Sequence, residues 1–140
     1  MRFASFRYCM IISATALGAV SAYYFFKYAF LNVALNNNNL TPDLESSIRA
    51  LWLAFACQGA LVAVLYAIVA SRPHAVSREV IVLLGLLHLV ESVLQFGFSG
   101  SKVVAGLLIF TALFVLVGAL LWPKRIDPVS APISAPPAPR

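Results

Sequence analysis

The chain has 140 residues, 61% of them hydrophobic and 11% charged, with a formal net charge of +5 and a mean hydropathy of +0.90. Soluble domains carry about 25% charged and about 45–50% apolar residues, so too little polar surface is present to coat a water-facing globule. A soluble enzyme, a nucleic-acid binder and a disordered protein are all disfavoured, and the expected fold class is all-α: a polytopic membrane protein built as a four-helix antiparallel transmembrane bundle.

Crossing a bilayer takes about 20 apolar residues per helix. The first stretch runs from Tyr8 to about Phe30, uncharged between Arg7 and Lys27. Arg2 and Arg7 followed by an apolar run and Val20-Ser21-Ala22 resemble a secretory signal with a small-residue cleavage site. The apolar run continues through Tyr23-Tyr24-Phe25-Phe26, which favours an uncleaved helix. A polar turn, Asn36 to Asn39, follows. Its sequon Asn39-Leu40-Thr41 matters only in a eukaryotic secretory pathway.

The second helix is expected over about 44–70, opened by Thr41-Pro42-Asp43: a cap, a proline at the first helical position and an early acid. Ala50 to Ala70 carries no charge, and Ser71-Arg72-Pro73 ends the helix. The third is expected over about 78–98, opened by Ser77 or Arg78 with Glu79 in its first turn. It contains His88, Glu91 and Gln95 and is the least apolar of the four. Gly97 to Ser101 forms a tight connection to a fourth helix over about 102–122, which Pro123 stops. Residues 1–122 thus form the transmembrane domain. The remainder, 123–140, holds six of the eight prolines and reads as a Pro-rich disordered cytoplasmic tail.

Orientation follows from the placing of Lys and Arg. Seven of the ten basic residues (Arg2, Arg7, Arg72, Arg78, Lys124, Arg125 and Arg140) fall on one side, and Lys27, Arg49 and Lys102 on the other. Both termini are therefore expected in the cytoplasm. The basic balance is accounted for by topology and calls for no nucleic acid.

The third helix carries the chemistry. At 100° per residue, His88, Glu91, Ser92, Gln95 and Ser99 fall within one arc of about 100°, and the opposite face is Val, Leu and Phe. By depth, Glu91, Gln58, Ser21 and Thr111 lie at nearly one level, about 2–3 Å from the midplane. A carboxylate there is costly, by about 2.5–3.5 kcal/mol, and such residues usually face the bundle interior and mark function. Glu91, His88, Gln95, Gln58, Ser92, Thr111 and Ser21 are therefore the candidate ligand or proton site. The structural alternative is that these groups hydrogen-bond between helices and fix their register, at about 0.6 kcal/mol per bond. Lys27 and Arg49 are the charges at the outer mouth, where long basic side chains snorkel to head groups. Tyr23, Tyr24, Tyr28 and Trp52 at one interface, with Tyr8 and Trp122 at the other, read as aromatic belts.

Ala14-xxx-Gly18-xxx-Ala22 and Gly59-xxx-Ala63-xxx-Ala67 are small-residue stripes that permit close helix approach, inside the bundle or in a homodimer. Cys9 and Cys57 lie at different depths, too far apart to bridge, and read as packing residues. The sequence has no CxxC, HExxH, GxSxG or phosphate loop, and no pair of intramembrane histidines for haem. No catalytic residue, metal or cofactor is expected.

Residues 44–122 resemble the small four-helix DoxX-like bacterial membrane proteins. The resemblance rests on Asp43-Leu44-Glu45-Ser46-Ser47-Ile48-Arg49 at the mouth of the second helix, then Leu51-Trp52-Leu53-Ala54. A short basic turn and a glycine-containing loop before the fourth helix agree as well. It implies a four-helix bundle in a bacterial inner membrane, in some members linked to membrane redox systems, and it carries over no catalytic residue.

Three functions are expected. The first is a non-enzymatic accessory subunit or binder of a lipid- or quinone-like ligand in an outward-facing polar cleft. The second is a small proton-coupled transporter acting as a homo-oligomer through Glu91; the third is a subunit of a membrane redox system. Expected partners are membrane lipids, a second copy or a larger membrane complex.

Overall fold

The computed structural model describes residues 2–99 and 101–122, so the proline-rich segment 123–140 lies outside the described residues. Four long α-helices make up nearly all of it: α1 (Arg2–Asn36), α2 (Pro42–Ser71), α3 (Arg78–Leu94) and α4 (Lys102–Leu120). A short 3₁₀ turn, Pro73–Ala75, joins α2 to α3, and a π-helical turn, Gln95–Ser99, leads towards α4. Each long helix contains a stretch long and apolar enough to cross a membrane.

The helix starts follow local chemistry. Pro42 occupies the first turn of α2 with Asp43 and Glu45, where a missing N–H is harmless and negative charge meets the positive end of the helix dipole. The Ser77 hydroxyl accepts from the Val80 amide to cap α3. Two boundaries depart from expectation. The first helix extends over 2–36 rather than 8–30, since no proline interrupts it and its end carbonyls find partners beyond Phe30. There the Asn38 side chain donates to the Ala34 carbonyl at 2.6 Å, and its amide to that of Leu35 at 3.0 Å. The third helix stays α-helical only to Leu94; it then widens into the π turn, which contains Gly97.

Neighbouring helices run in opposite directions, as their paired residues show. Ser21 meets Ala56, and Tyr24 meets Trp52, between α1 and α2. Phe6 lies against Trp122, beyond the end of α4, and Met10 against Gly118 of α4. Arg78 reaches Ala119, and Gly85 lies against Val115 and Leu116, between α3 and α4. The buried side chains recur every three or four residues: Leu17, Val20 and Tyr24 on α1, Ala56, Ala63 and Tyr66 on α2, Leu108, Thr111 and Val115 on α4. Large apolar residues such as Leu61, Val93, Val103 and Leu120 point outward, each at least 70% exposed, as helix faces turned to lipid do.

At Gly85, α3 lies tightly against α4. A Cβ there would stand 2.9 Å from Leu116 Cδ2 and 3.3 Å from Val115 Cγ1, whereas one at Gly106 would meet nothing within 4 Å. Val115 is β-branched and cannot swing aside. Gly85→Ala is expected to lower stability by about 1–3 kcal/mol through overpacking. Gly106→Ala should be neutral or stabilising by up to about 1 kcal/mol through helix propensity. Unfolding in detergent micelles compares the two, and equal effects would remove any packing role from Gly85.

Three helix pairs are tightly packed: α1 with α2, α1 with α4, and α3 with α4. Although α2 and α3 are joined by a short turn, no Cα of one comes within 8 Å of a Cα of the other. The bundle is a ring with one wide seam. At the end carrying the described termini it is closed by Trp122, whose ring meets Phe6 at 5.3 Å and His74 at 6.4 Å. The Arg78 Nε there donates to the Ala119 carbonyl at 2.9 Å. At the opposite end α1 and α2 overhang. With Met10 level with Gly118, Lys102 falls level with Phe26, and α1 continues ten residues to Asn36, about 15 Å at 1.5 Å per residue.

Candidate functional site

The buried stripe of α3 is Ile81, Gly85, His88 and Ser92, a spacing of four, three and four that turns one face inward. His88 is therefore in the core, 2% exposed, and Glu91, one turn on, sits at its edge. The His88 Nδ1 lies 2.8 Å from Glu91 Oε2. From across the wide seam, the Gln58 side chain of α2 donates through Nε2 to Glu91 Oε1 at 3.1 Å. Because Oε1 accepts from Gln58, the contact between His88 and Glu91 is made by one proton held between Nδ1 and Oε2. Either the imidazole donates to a carboxylate, or a carboxylic acid donates to the imidazole.

On its other side, the His88 Nε2 is buried without a hydrogen-bond partner, and so is the hydroxyl of Tyr66. The two rings meet edge to face, 5.9 Å apart at 75°. Tyr66 of α2 is fully buried. Together with the Gln58–Glu91 bond, this ring contact is a direct α2–α3 link, so polar side chains bridge the seam that the backbones leave wide. A void of about 10 Å³ lies beside them, walled by Ser21, Gln58, His88 and Glu91 on its polar side and by Leu17, Phe55 and Val62 among its apolar residues. That is room for about one water-sized group. Gln58 is exposed on the outside of the bundle, so the site meets its surroundings sideways, between α2 and α3, rather than through either end.

Not all the polar residues expected at this level join it. Ser21 crosses to α2 and donates to the Ala56 carbonyl, beside Gly59, where an added Cβ would be 3.4 Å from the Ser21 Cβ. Ser92 and Thr111 are buried, but each donates back within its own helix: Ser92 to Leu89 at 2.7 Å, Thr111 to Leu107 at 2.8 Å. Their hydroxyls spend their protons locally, a standard way for such side chains to sit in an apolar helix. Gln95, at the start of the π turn, hydrogen-bonds Tyr24 of α1. Lys27 and Arg49 stay away from Glu91. Arg49 pairs with Glu45 and donates to Asn36 Oδ1 at 2.8 Å, and the Lys27 ammonium stands over Phe30 and Tyr23, 5.0 and 5.8 Å from the ring centres.

Two tyrosines have roles that the sequence analysis does not assign. Tyr24, expected in an interfacial belt, is only 6% exposed and packs between Trp52 and Phe55, each 4.9 Å away. The Trp52 Nε1 donates to its carbonyl at 2.9 Å. Tyr66 has a signal: the one phenol in the apolar second half of α2, eight residues from Gln58 and about 80° from it around the helix. Of the small-residue stripes, Gly59 and Ala63 turn into the bundle, whereas Gly18 faces open space and Ala22 is exposed. Cys9 is buried and Cys57 exposed, both as free thiols. Among the described residues, no three His, Cys, Asp or Glu side chains cluster as a metal site. Comparison with known protein families, curated proteins and solved structures gives no match for this chain.

Proposed function

We propose that this chain is a small, non-enzymatic integral membrane protein that binds a lipid- or quinone-like amphipathic ligand at the α2–α3 seam, as an accessory component of a membrane system. The observation that carries this reading is the mismatch at the seam. Backbone packing is absent between two consecutive helices, yet a carboxylate, an imidazole and an amide, groups that are expensive in hydrocarbon, are gathered there and reach the lipid-facing surface at Gln58. A purely structural clasp has no need of a void walled by His88, Glu91 and Gln58, nor of an unpartnered His88 Nε2. The void as it stands is too small for a head group with its chain, so binding involves parting α2 from α3. The location that goes with this reading is a bacterial inner membrane with both termini in the cytoplasm. Its support is the seven-to-three distribution of basic residues and the DoxX-like pattern of the second helix.

The test is Glu91→Gln. The variant is expected to fold and to retain at least tenfold less of the lipid-like molecule seen by native mass spectrometry of wild-type protein taken from membranes. Equal retention by both proteins would end the role of Glu91 in binding.

A second reading is supported by the single proton between His88 Nδ1 and Glu91 Oε2: a proton-coupled transporter, assembled from several copies, that loads its proton at this pair. In vesicles under a pH gradient, it predicts a proton flux well above that of empty vesicles, lost in Glu91→Gln. Wild-type vesicles no leakier than empty ones would sink it.

A further inference from the structure

The geometry points to a particular ligand class for this seam: a long-chain molecule with an uncharged, hydroxyl-bearing head group, rather than a phosphate ester. The inference rests on the ligand-binding reading above and goes further on three observations.

The first is size. The void takes one water-sized group, and a hydroxyl oxygen is that group, whereas a phosphate with its ester oxygens is several times larger. The second is hydrogen-bond character. The polar groups that wall the void, Gln58, His88 and Glu91, include donors and acceptors. A hydroxyl donates and accepts, so it can pair with either kind. An ionised phosphate oxygen only accepts. The third is charge. Glu91 is the acid at the site, and the nearby bases of the overhanging end are engaged elsewhere: Arg49 with Glu45 and Asn36, Lys27 over two aromatic rings. An anionic head group would face the acid of the site with neither Lys27 nor Arg49 free to meet it, and like charges repel more strongly at low dielectric than in water. With its hydroxyl among Ser21, Gln58, His88 and Glu91, the alkyl chain leaves past Phe55 and Val62 and out between α2 and α3.

The experiment uses the wild-type full-length chain in nanodiscs of a zwitterionic lipid. Two probes carry the same diazirine-bearing sixteen-carbon chain, one ending in a primary alcohol and the other in a phosphate monoester. Crosslinks are mapped by mass spectrometry, and labelling of α2 and α3 at the seam is normalised to the lipid-facing surface around Leu113 of α4. Expected is at least tenfold greater seam labelling by the alcohol, competed by unlabelled hexadecanol but not by hexadecyl phosphate, and reduced at least tenfold in Ser21→Val, which fills the void. Seam labelling by the phosphate probe equal to or above that of the alcohol would overturn the assignment of ligand class while leaving the seam as a ligand site. If neither probe labels the seam above the lipid-facing surface, the ligand-binding reading falls along with this one.

Discussion

Replacing His88 with leucine is expected to lower the stability of the bundle by about 3–5 kcal/mol, the usual cost of removing one partner from a buried ion-paired or strongly hydrogen-bonded couple. The imidazole is 2% exposed and bonded to Glu91, so its loss leaves a carboxyl at the seam with Gln58 alone. Glu91→Gln is expected to cost much less, within about 1 kcal/mol. Its amide can donate to Nδ1 and accept from Gln58, preserving both bonds, and interhelical hydrogen bonds in membranes are individually worth about 0.6 kcal/mol. The double variant His88→Leu, Glu91→Leu should recover most of the loss, since exchanging a whole buried polar couple for apolar side chains is often neutral. Unfolding by denaturing detergent measures all three. Equal losses in the single and double variants would mean that His88 acts by volume alone.

Phe6→Ala is expected to cost about 3–5 kcal/mol, the range for deleting a fully buried aromatic ring. Phe6 is 0% exposed and meets Trp122 edge-on, and the same indole carries His74 of the α2–α3 turn. Three distant segments converge on that one ring system, so losing Phe6 loosens the start of α1, the turn and the end of α4 together. Tyr8→Ala, two residues away and 67% exposed, should change stability by under about 0.5 kcal/mol. A loss below about 1 kcal/mol in Phe6→Ala would show that the terminal end is not closed by this contact.

The contrast between those two positions shows what the sequence conveys and what it withholds. The number and type of elements were legible because four apolar runs of about 20 residues admit little else, and the seam pair was legible because His88 and Glu91 share one helix. Gln58 was legible by depth alone. Its bond to Glu91 depends on how far α2 stands from α3, a tertiary quantity. Ser92 and Thr111 were expected in the same layer, but a hydroxyl in a helix can satisfy itself on the preceding turn, and spacing cannot tell that from a bond across helices. Tyr24 read as an interfacial residue because α1 was expected to end near Phe30. With α1 running to Asn36, the same tyrosine lies deeper, against α2.

The unequal helix lengths bear on how this bundle answers to the thickness of its bilayer. At 1.5 Å per residue, α4, with 19 residues, is about 28 Å long, close to the hydrocarbon core of about 30 Å. By the same measure, α1, with 35 residues, is about 52 Å long, and α2, with 30, about 45 Å. A thinner or thicker membrane is matched by tilt, and a long pair and a short pair tilt by different amounts. Since α1 is packed against both α2 and α4, the differential lean falls on the wide seam beside α2, where side chains alone hold the ring closed. Lipid thickness thereby becomes a mechanical input to the distance between Gln58 and Glu91.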